Sequence, residues 1–391
     1  MHALLARTAV LGALFSQTAT SQAPITRTLG KPQAEFAEPF TEIGAIRELR
    51  DGRLIVVDAR ELAVKLVDLR AGAASTIGRT GDGPGEYRWP GKLFALPDDR
   101  TLLQDNSGGR LTIIGSDGKP GEVFDPNRSE GDTIRARAFR FHVRASDARG
   151  MLYGEAQPIR VGANGVLELA DHSAIERLNI ASRQRDTVAL WPLRKDANAR
   201  LYNGMVMTQP RRQAFPAWDQ WSVAPDGRIA FTYFDPYRVN FVGTNRQVVE
   251  NPPIPYDRVR VDDAVKKQWK EELERPRMAM MYSRGGGSSM QLMPGMYSEP
   301  TEWPEYLPPY LGNPVFASNG LLWIPRATAD GMLATPLYDI IDGKGKLVER
   351  VKLPARTRLV GFGSNSVYVV RLDEDDLQYL QRHSLPTTAR P

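Results

Sequence analysis

The stretch Asp51-Gly52-Arg53-Leu54-Ile55-Val56-Val57-Asp58 joins a polar turn to an apolar run, and this combination decides the fold. Asp-Gly is typical of hairpin turns, because both positions tolerate a positive φ angle. A short apolar run after such a turn is typical of a buried strand. The stretch therefore predicts a hairpin turn that enters an inner strand of a sheet.

The same turn-and-strand pattern recurs five more times along the chain. The further copies are Asp98–Asp105, Arg149–Glu155, Asp226–Tyr233, Asn319–Ile324 and Ser364–Val370. A second hairpin usually follows, as at Val64–Asp68 and Leu111–Ile114. Each unit then has four antiparallel strands, which is the make-up of a propeller blade. Three of the intervals between copies match one blade in length, and the other two need insertions.

Six such units arranged radially bury their faces against each other and leave few free sheet edges. We therefore predict an all-β protein, a six-bladed β-propeller that forms a single domain over residues 24–391. A β-sandwich or two smaller β domains is the alternative. The segment Pro24–Phe36 is left over, and we expect it to close the ring by pairing with the strands around residues 366–385.

Residues 1–23 are typical of a signal peptide. Arg7 supplies a positive charge, Thr8–Phe15 is a short apolar core, and Ser21-Gln22-Ala23 offers small residues at the cleavage positions. This core is shorter than the ~20 residues that span a bilayer. We expect a secreted or periplasmic protein that begins near Pro24, with a disordered or intracellular N-terminus as the alternative.

Composition narrows the chemistry and the partners. The 391 residues include no cysteine, which excludes disulfides, thiolate metal sites and cysteine nucleophiles. The formal net charge of +5 is a mild excess, and we expect no nucleic-acid partner. No segment after residue 23 is apolar enough to cross a membrane. We expect a monomer.

A linker motif resembles that of a known group. Gly81-Asp82-Gly83-Pro84-Gly85-Glu86-Tyr87 resembles the Gly-x-Gly-Pro-Gly-Glu-Phe linker of bacterial exported six-bladed propellers related to NHL repeats, with tyrosine in place of phenylalanine. The stretches Val57–Val64 and Trp221–Gly227 are similar to blade segments of that group. The resemblance covers most of residues 40–385. It implies the fold and says little about activity.

No linear motif fixes a catalytic or metal site. The three histidines after the signal segment lack ligand spacing, and Asp58 and Asp105 are interpreted as acceptors for turn amides. Calcium is conceivable as a cofactor, because it prefers oxygen ligands. The residues available for it are Asn106, Glu155, Asn203 and Asn313.

The favoured function is non-catalytic binding of a small molecule, glycan or protein whose identity the sequence leaves open. The alternative is a calcium-dependent, lactonase- or esterase-like hydrolase, or an NHL-type lyase, that uses the central channel. Catalysis is the less favoured of the two.

An insertion over residues 257–310 separates the fourth and fifth copies. Val261, Val265, Trp269 and Leu273 recur every four residues and predict an amphipathic helix. A methionine-rich, glycine-interrupted stretch and an aromatic stretch follow. We expect the insertion to be either a mobile lid or partner surface, or a plug that packs over one mouth of the channel. Our candidate ligand contacts are Arg140, His142 and Trp221 on inner strands, and Trp303 and Tyr310 in the insertion.

Overall fold

The computed structural model describes most of the chain after the predicted signal segment. It covers residues 24–107, 109–127, 141–192, 200–202, 205–207, 214–274, 277–282, 288–293, 300 and 302–386. Strands make up 47% of the protein and helices 6%, so the protein is all-β as predicted.

Six sheets form the blades, and in each the first strand along the chain lies innermost, apart from the N-terminal strands Thr26–Thr28 and Ala34–Glu35, which lie at the outer edges of blades 5 and 6. Blade 1 contains Ile43–Glu48, Leu54–Asp58, Ala63–Asp68 and Ala73–Thr76; blade 2 contains Pro90–Ala95, Thr101–Asp105, Arg110–Ile114 and Pro120–Phe124; blade 3 contains Val143–Ser146, Leu152–Glu155, His172–Leu178 and Arg185–Pro192. Blade 4 contains Gln220–Val223, Ile229–Phe234, Tyr237–Val242 and Val248–Val249; blade 5 contains Val315–Phe316, Leu322–Pro325, Leu337–Ile341, Leu347–Lys352 and Thr26–Thr28; blade 6 contains Thr357–Phe362, Ser366–Leu372, Gln378–Ser384 and Ala34–Glu35.

Smaller elements lie in the connections between these strands. A parallel pair, Arg79–Thr80 with Glu86–Tyr87, closes the glycine-rich linker between blades 1 and 2. Three hairpins pair Ile159–Val161 with Leu167–Leu169, Arg200–Tyr202 with Met205–Met207, and Arg277–Tyr282 with Ser288–Met293. Within the described ranges, the helices are Asp263–Glu274, the one-turn Gly331–Ala334 and the 3₁₀ turn Pro97–Asp99.

The innermost strands of successive blades lie side by side around a common axis, so the protein is a six-bladed β-propeller. The six turn-and-strand copies each fall in a different blade, as predicted. One detail of the prediction is wrong, because the strand after each turn is the second of its blade. The turn itself leaves the innermost strand, as Glu48 and Leu54 show by pairing across the turn at Gly52.

Apolar side chains alternate between the two faces of each blade and fill a core at each blade interface. In blade 1, Leu54 and Val56 pack against blade 6, whereas Ile55 and Val57 pack against blade 2. Burying such a side chain fully contributes about 1.5–3 kcal/mol. Each blade is therefore stabilised mainly by its two neighbours.

The N-terminal segment closes the ring by pairing with blade 6, as predicted. It also pairs with blade 5, which was not predicted. Ala34–Glu35 pairs antiparallel with strand Gln378–Ser384 of blade 6. Thr26–Thr28 continues to blade 5 and pairs parallel with Leu347–Lys352. Between the two, Leu29 fills the core between blades 5 and 6, and His383 Nδ1 lies 2.8 Å from the Gly30 carbonyl oxygen.

Because strands within a blade are antiparallel, alternate connections emerge on opposite faces of the ring. One face, the turn face, carries the short hairpins, such as the turn where Gly52 has φ of +89°. The other, the loop face, carries the longer connections: residues 77–89, 125–142, 156–171, 193–219, 250–314 and 326–336. The fold thus places its large irregular segments on one face of the ring.

The closure predicts a contrast between two residues of the N-terminal segment. Leu29 is 5% exposed and Ile25 is 65% exposed. We expect Leu29→Ala to lower the free energy of unfolding by about 2–4 kcal/mol, because it leaves a cavity between two blades. Ile25→Ala, the matched control, should change it by less than about 0.5 kcal/mol. Urea unfolding measures both, and equal effects would contradict the closure.

Candidate ligand site in the central channel

The innermost strands of blades 2 and 3 each carry a β-bulge near the loop face. In blade 2, Pro90 pairs with Asp105 and Leu93 pairs with Leu103, so two residues oppose one. In blade 3, Arg144 is the extra residue, because its neighbours pair with Gly154 and Tyr153. A bulge breaks the two-residue alternation and re-aims a side chain.

The side chains next to the bulges show where the extra residues point. Leu93 packs between blades 1 and 2, and Phe94 packs between blades 2 and 3. Val143 packs between blades 2 and 3 and Ala145 between blades 3 and 4. Lys92 and Arg144 belong to none of the cores between blades, and both are exposed. We infer that both project into the channel, on neighbouring inner strands.

Arg144 is held by two residues from separate strands. Its Nη1 atom donates to Glu155 Oε2 at 2.5 Å, and its guanidinium lies 4.9 Å from the centroid of the Trp221 ring. Trp221 Nε1 donates to the same carboxylate oxygen at 2.9 Å. In the part of the chain described, Nε and Nη2 of Arg144 donate to no acceptor. The guanidinium is therefore positioned with donors to spare.

Lys92 has no hydrogen-bond or ion-pair partner among the described residues. It is open to the channel, yet the inner strands surround it on both sides. This crowding, together with the positive charge of Arg144, lowers the pKa of Lys92 below its ordinary value. The inner strands that carry the two cations also contact each other directly.

Together these residues form what we call the channel site: Lys92, Arg144, Glu155 and Trp221. Two cations against one carboxylate leave the channel site with a net positive charge. An anionic group that entered the channel would meet the Lys92 ammonium and the unused nitrogens of Arg144. Such charge-assisted hydrogen bonds are about twice as strong as neutral ones. Of these residues, only Trp221 was a predicted ligand contact; Lys92 and Arg144 were missed by sequence reasoning, and Glu155 was considered only for calcium.

The predicted inner-strand contacts have different outcomes. Trp221 lies in the channel site, buried between blades 3 and 4. His142 is exposed directly before the inner strand of blade 3. It lines a cavity of about 550 Å³ between blades 2 and 3, together with Arg110 and Asn127. Arg140 lies outside the described residues.

The insertion lies on the loop face, and its helix Asp263–Glu274 confirms the predicted amphipathic helix. Val261 and Val265 pack on Leu307 and on Ala327, which belongs to a blade 5 loop. The helix also borders a cavity of about 670 Å³ that reaches the loops of blades 5 and 6. The hairpin at 277–293 was not predicted. That the insertion covers the channel mouth stays a prediction.

The two predicted aromatic contacts in the insertion occupy different surroundings. Trp303 is half-buried, with its ring centroid 5.2 Å from that of Trp269. Tyr310 is buried, and its hydroxyl lies 3.0 and 2.9 Å from the carbonyl oxygens of Trp218 and Thr232. In this structure Tyr310 is a core residue, because those two carbonyls hold its hydroxyl inside blade 4.

Among the carboxylates considered for metal binding, each already has polar partners. Asp58 and Asp105 accept hydrogen bonds from the amides of neighbouring loops, as expected of structural aspartates. Glu155 is held by Arg144 and Trp221. Across the described ranges, no group of three or more histidine, aspartate or glutamate side chains is placed to hold a metal ion. Asn203 lies outside those ranges.

No protein-family model and no curated protein matches the sequence. Among solved structures, a protein of Bacteroides fragilis classed as exported is 11% identical, with 92% of this chain and 94% of that chain covered and a TM-score of 0.47. A gluconolactonase of Xanthomonas campestris is 9% identical, with 92% and 99% covered and a TM-score of 0.41. Regucalcin of Agrobacterium tumefaciens, a calcium-binding protein, is 11% identical, with 94% and 99% covered and a TM-score of 0.39. Because these TM-scores are below 0.5, the similarities support no conclusion about ligand or activity.

The channel site predicts electrostatic coupling between its two cations. We expect Arg144→Gln to raise the pKa of Lys92, because a nearby positive charge disfavours the charged ammonium. The pH dependence of acetylation at Lys92, followed by peptide mass spectrometry, measures this change. Lys119, which lies on the turn face, is the internal control and should not respond. An unchanged pKa at Lys92 would mean that the two side chains do not share the channel.

Proposed function

We propose that the protein is an exported binding propeller that holds a small organic anion in its channel without transforming it. The observation that supports this most strongly is Lys92, an ammonium in the channel with no carboxylate partner among the described residues. Arg144 lies on the neighbouring inner strand, and two of its guanidinium nitrogens donate to no acceptor among the described residues. A cationic, partly enclosed site of this kind favours an anion.

The channel site is organised before any ligand arrives. The Arg144 guanidinium rests on the Trp221 ring, and Glu155 fixes one of its nitrogens. Side chains that are already ordered lose little further entropy on binding. A carboxylate fits the planar nitrogens of arginine, whereas lysine adds a point charge. We therefore favour a carboxylate over a neutral sugar.

The alternative, a calcium-dependent hydrolase or a lyase, has less support. The names gluconolactonase and regucalcin belong to two of the similar structures, and we carry neither over to this chain. Glu155, the only carboxylate of the channel site, is paired with a cation instead of with other oxygen ligands. Calcium needs several oxygen ligands around one point.

Export rests on the features of residues 1–23, which lie outside the described residues. Pairing within the fold begins at Thr26, so cleavage near Pro24 would leave the ring intact. Among the described residues, none of the helices has the length and apolar character needed to cross a membrane. The intact mass of the protein purified from its own host measures where the chain is cleaved. A mass that still includes Met1 would contradict the predicted cleavage.

Isothermal titration with matched ligand pairs tests the anion site. The pairs are D-gluconate with D-sorbitol, L-lactate with 1,2-propanediol, and benzoate with benzyl alcohol. We expect at least one carboxylate to bind while its neutral partner does not. Lys92→Gln should weaken that binding about tenfold or more, because a charge-assisted hydrogen bond contributes about 1.5–3 kcal/mol.

The control variant is Lys119→Gln, a lysine on the turn face, which should bind as the unmodified protein does. A carboxylate that binds equally well to Lys92→Gln would contradict the channel site. Binding that disappears when a chelator removes calcium would favour the calcium-dependent alternative.

A further inference from the structure

Lys92 is set apart by its place on an innermost strand near a second cation, whereas several lysines of the fold pair with an acidic side chain. Each of five lysines lies near a carboxylate within 4 Å: Lys65, Lys119, Lys266, Lys267 and Lys270. Lys92 has no such partner in the described ranges, and its nearest named charge is the cation Arg144. An amine in this position is not needed to balance a charge in the fold.

We propose that Lys92 captures a 2-oxo acid as a reversible imine while Arg144 binds the carboxylate of the same molecule. This inference rests on the proposed anion site and adds a covalent step to it. A 2-oxo acid carries its carbonyl next to its carboxylate. The two neighbouring inner strands present an amine and a guanidinium side by side, which matches that pair of groups.

The step balances without any further reactant. The neutral Nζ of Lys92 attacks the carbonyl carbon, and the C–N bond forms as the carbonyl oxygen takes up a proton. The carbinolamine then loses its hydroxyl and one nitrogen-bound hydrogen as water, which leaves the imine. The reverse reaction with water releases the 2-oxo acid unchanged, so the step serves capture and not turnover.

Two features of the channel favour this step. Only the neutral amine is nucleophilic, and an ordinary lysine is almost fully protonated at neutral pH. Crowding and the charge of Arg144 lower the pKa of Lys92 and so increase its neutral fraction. Arg144 remains charged and, through Glu155 and Trp221, keeps a fixed place in which to hold the carboxylate.

Reductive trapping tests the proposal on the full-length mature protein. The protein is incubated with pyruvate and cyanoborohydride, digested, and each lysine peptide is examined by mass spectrometry. We expect the Lys92 peptide to gain the mass of one reduced pyruvate, at about tenfold or higher yield than any other lysine. Lys92→Arg keeps the charge and should abolish this adduct, whereas the control Lys119→Arg should leave it unchanged.

L-lactate separates failure of this inference from failure of the anion site, because it carries the carboxylate without the carbonyl. Lactate binding at the channel site with no pyruvate adduct at Lys92 would overturn the imine and leave the anion site standing. Equal adducts on Lys92 and on surface lysines would also overturn it. An absence of both lactate binding and a Lys92 adduct would overturn both proposals.

Discussion

Each innermost strand must supply side chains to two apolar cores at once, and this constraint shapes the channel. Successive residues such as Leu93 and Phe94 turn to opposite sides, one toward blade 1 and the other toward blade 3. A regular strand has no side chain left over for the axis. A residue that a β-bulge adds to the strand lies outside this alternation. Lys92 and Arg144 are such residues. The chemistry of the channel thus depends on where the strand register is broken.

The same packing rule explains how the loop face and the channel site come together. Antiparallel strands send every blade-to-blade connection to one face, and the longest connections lie there. The inner strands of blades 2, 3 and 4 begin at that face, so Lys92, Arg144 and Trp221 lie near its mouth. The N-terminal segment instead closes the ring at the outer strands of blades 5 and 6, whereas the channel site lies on the inner strands of blades 2, 3 and 4 and on Glu155 of blade 3. Closure and ligand access are therefore separate parts of the structure.

The fold was predictable because its signal is local and repeated. Turns such as Asp51-Gly52 mark every blade, and the helix at Asp263–Glu274 follows from a four-residue spacing. The channel site was only partly predictable. Trp221 was predicted as a candidate contact from its place on an inner strand, but Lys92 and Arg144 were missed, because a bulge depends on the register between two strands. Tyr310 was interpreted as a stacking surface, although carbonyls of Trp218 and Thr232, distant in sequence, place it in the core.

Native mass spectrometry of the protein purified from its own host tests the central claim most directly, namely that the channel site holds an organic anion. We expect a processed chain that begins near Pro24 and retains a small organic acid. We expect the Lys92→Gln protein to retain none. Release of the acid on denaturation would identify its chemical class. A protein that carries a divalent metal ion and no organic acid, or that retains the same acid after Lys92→Gln, would contradict the account.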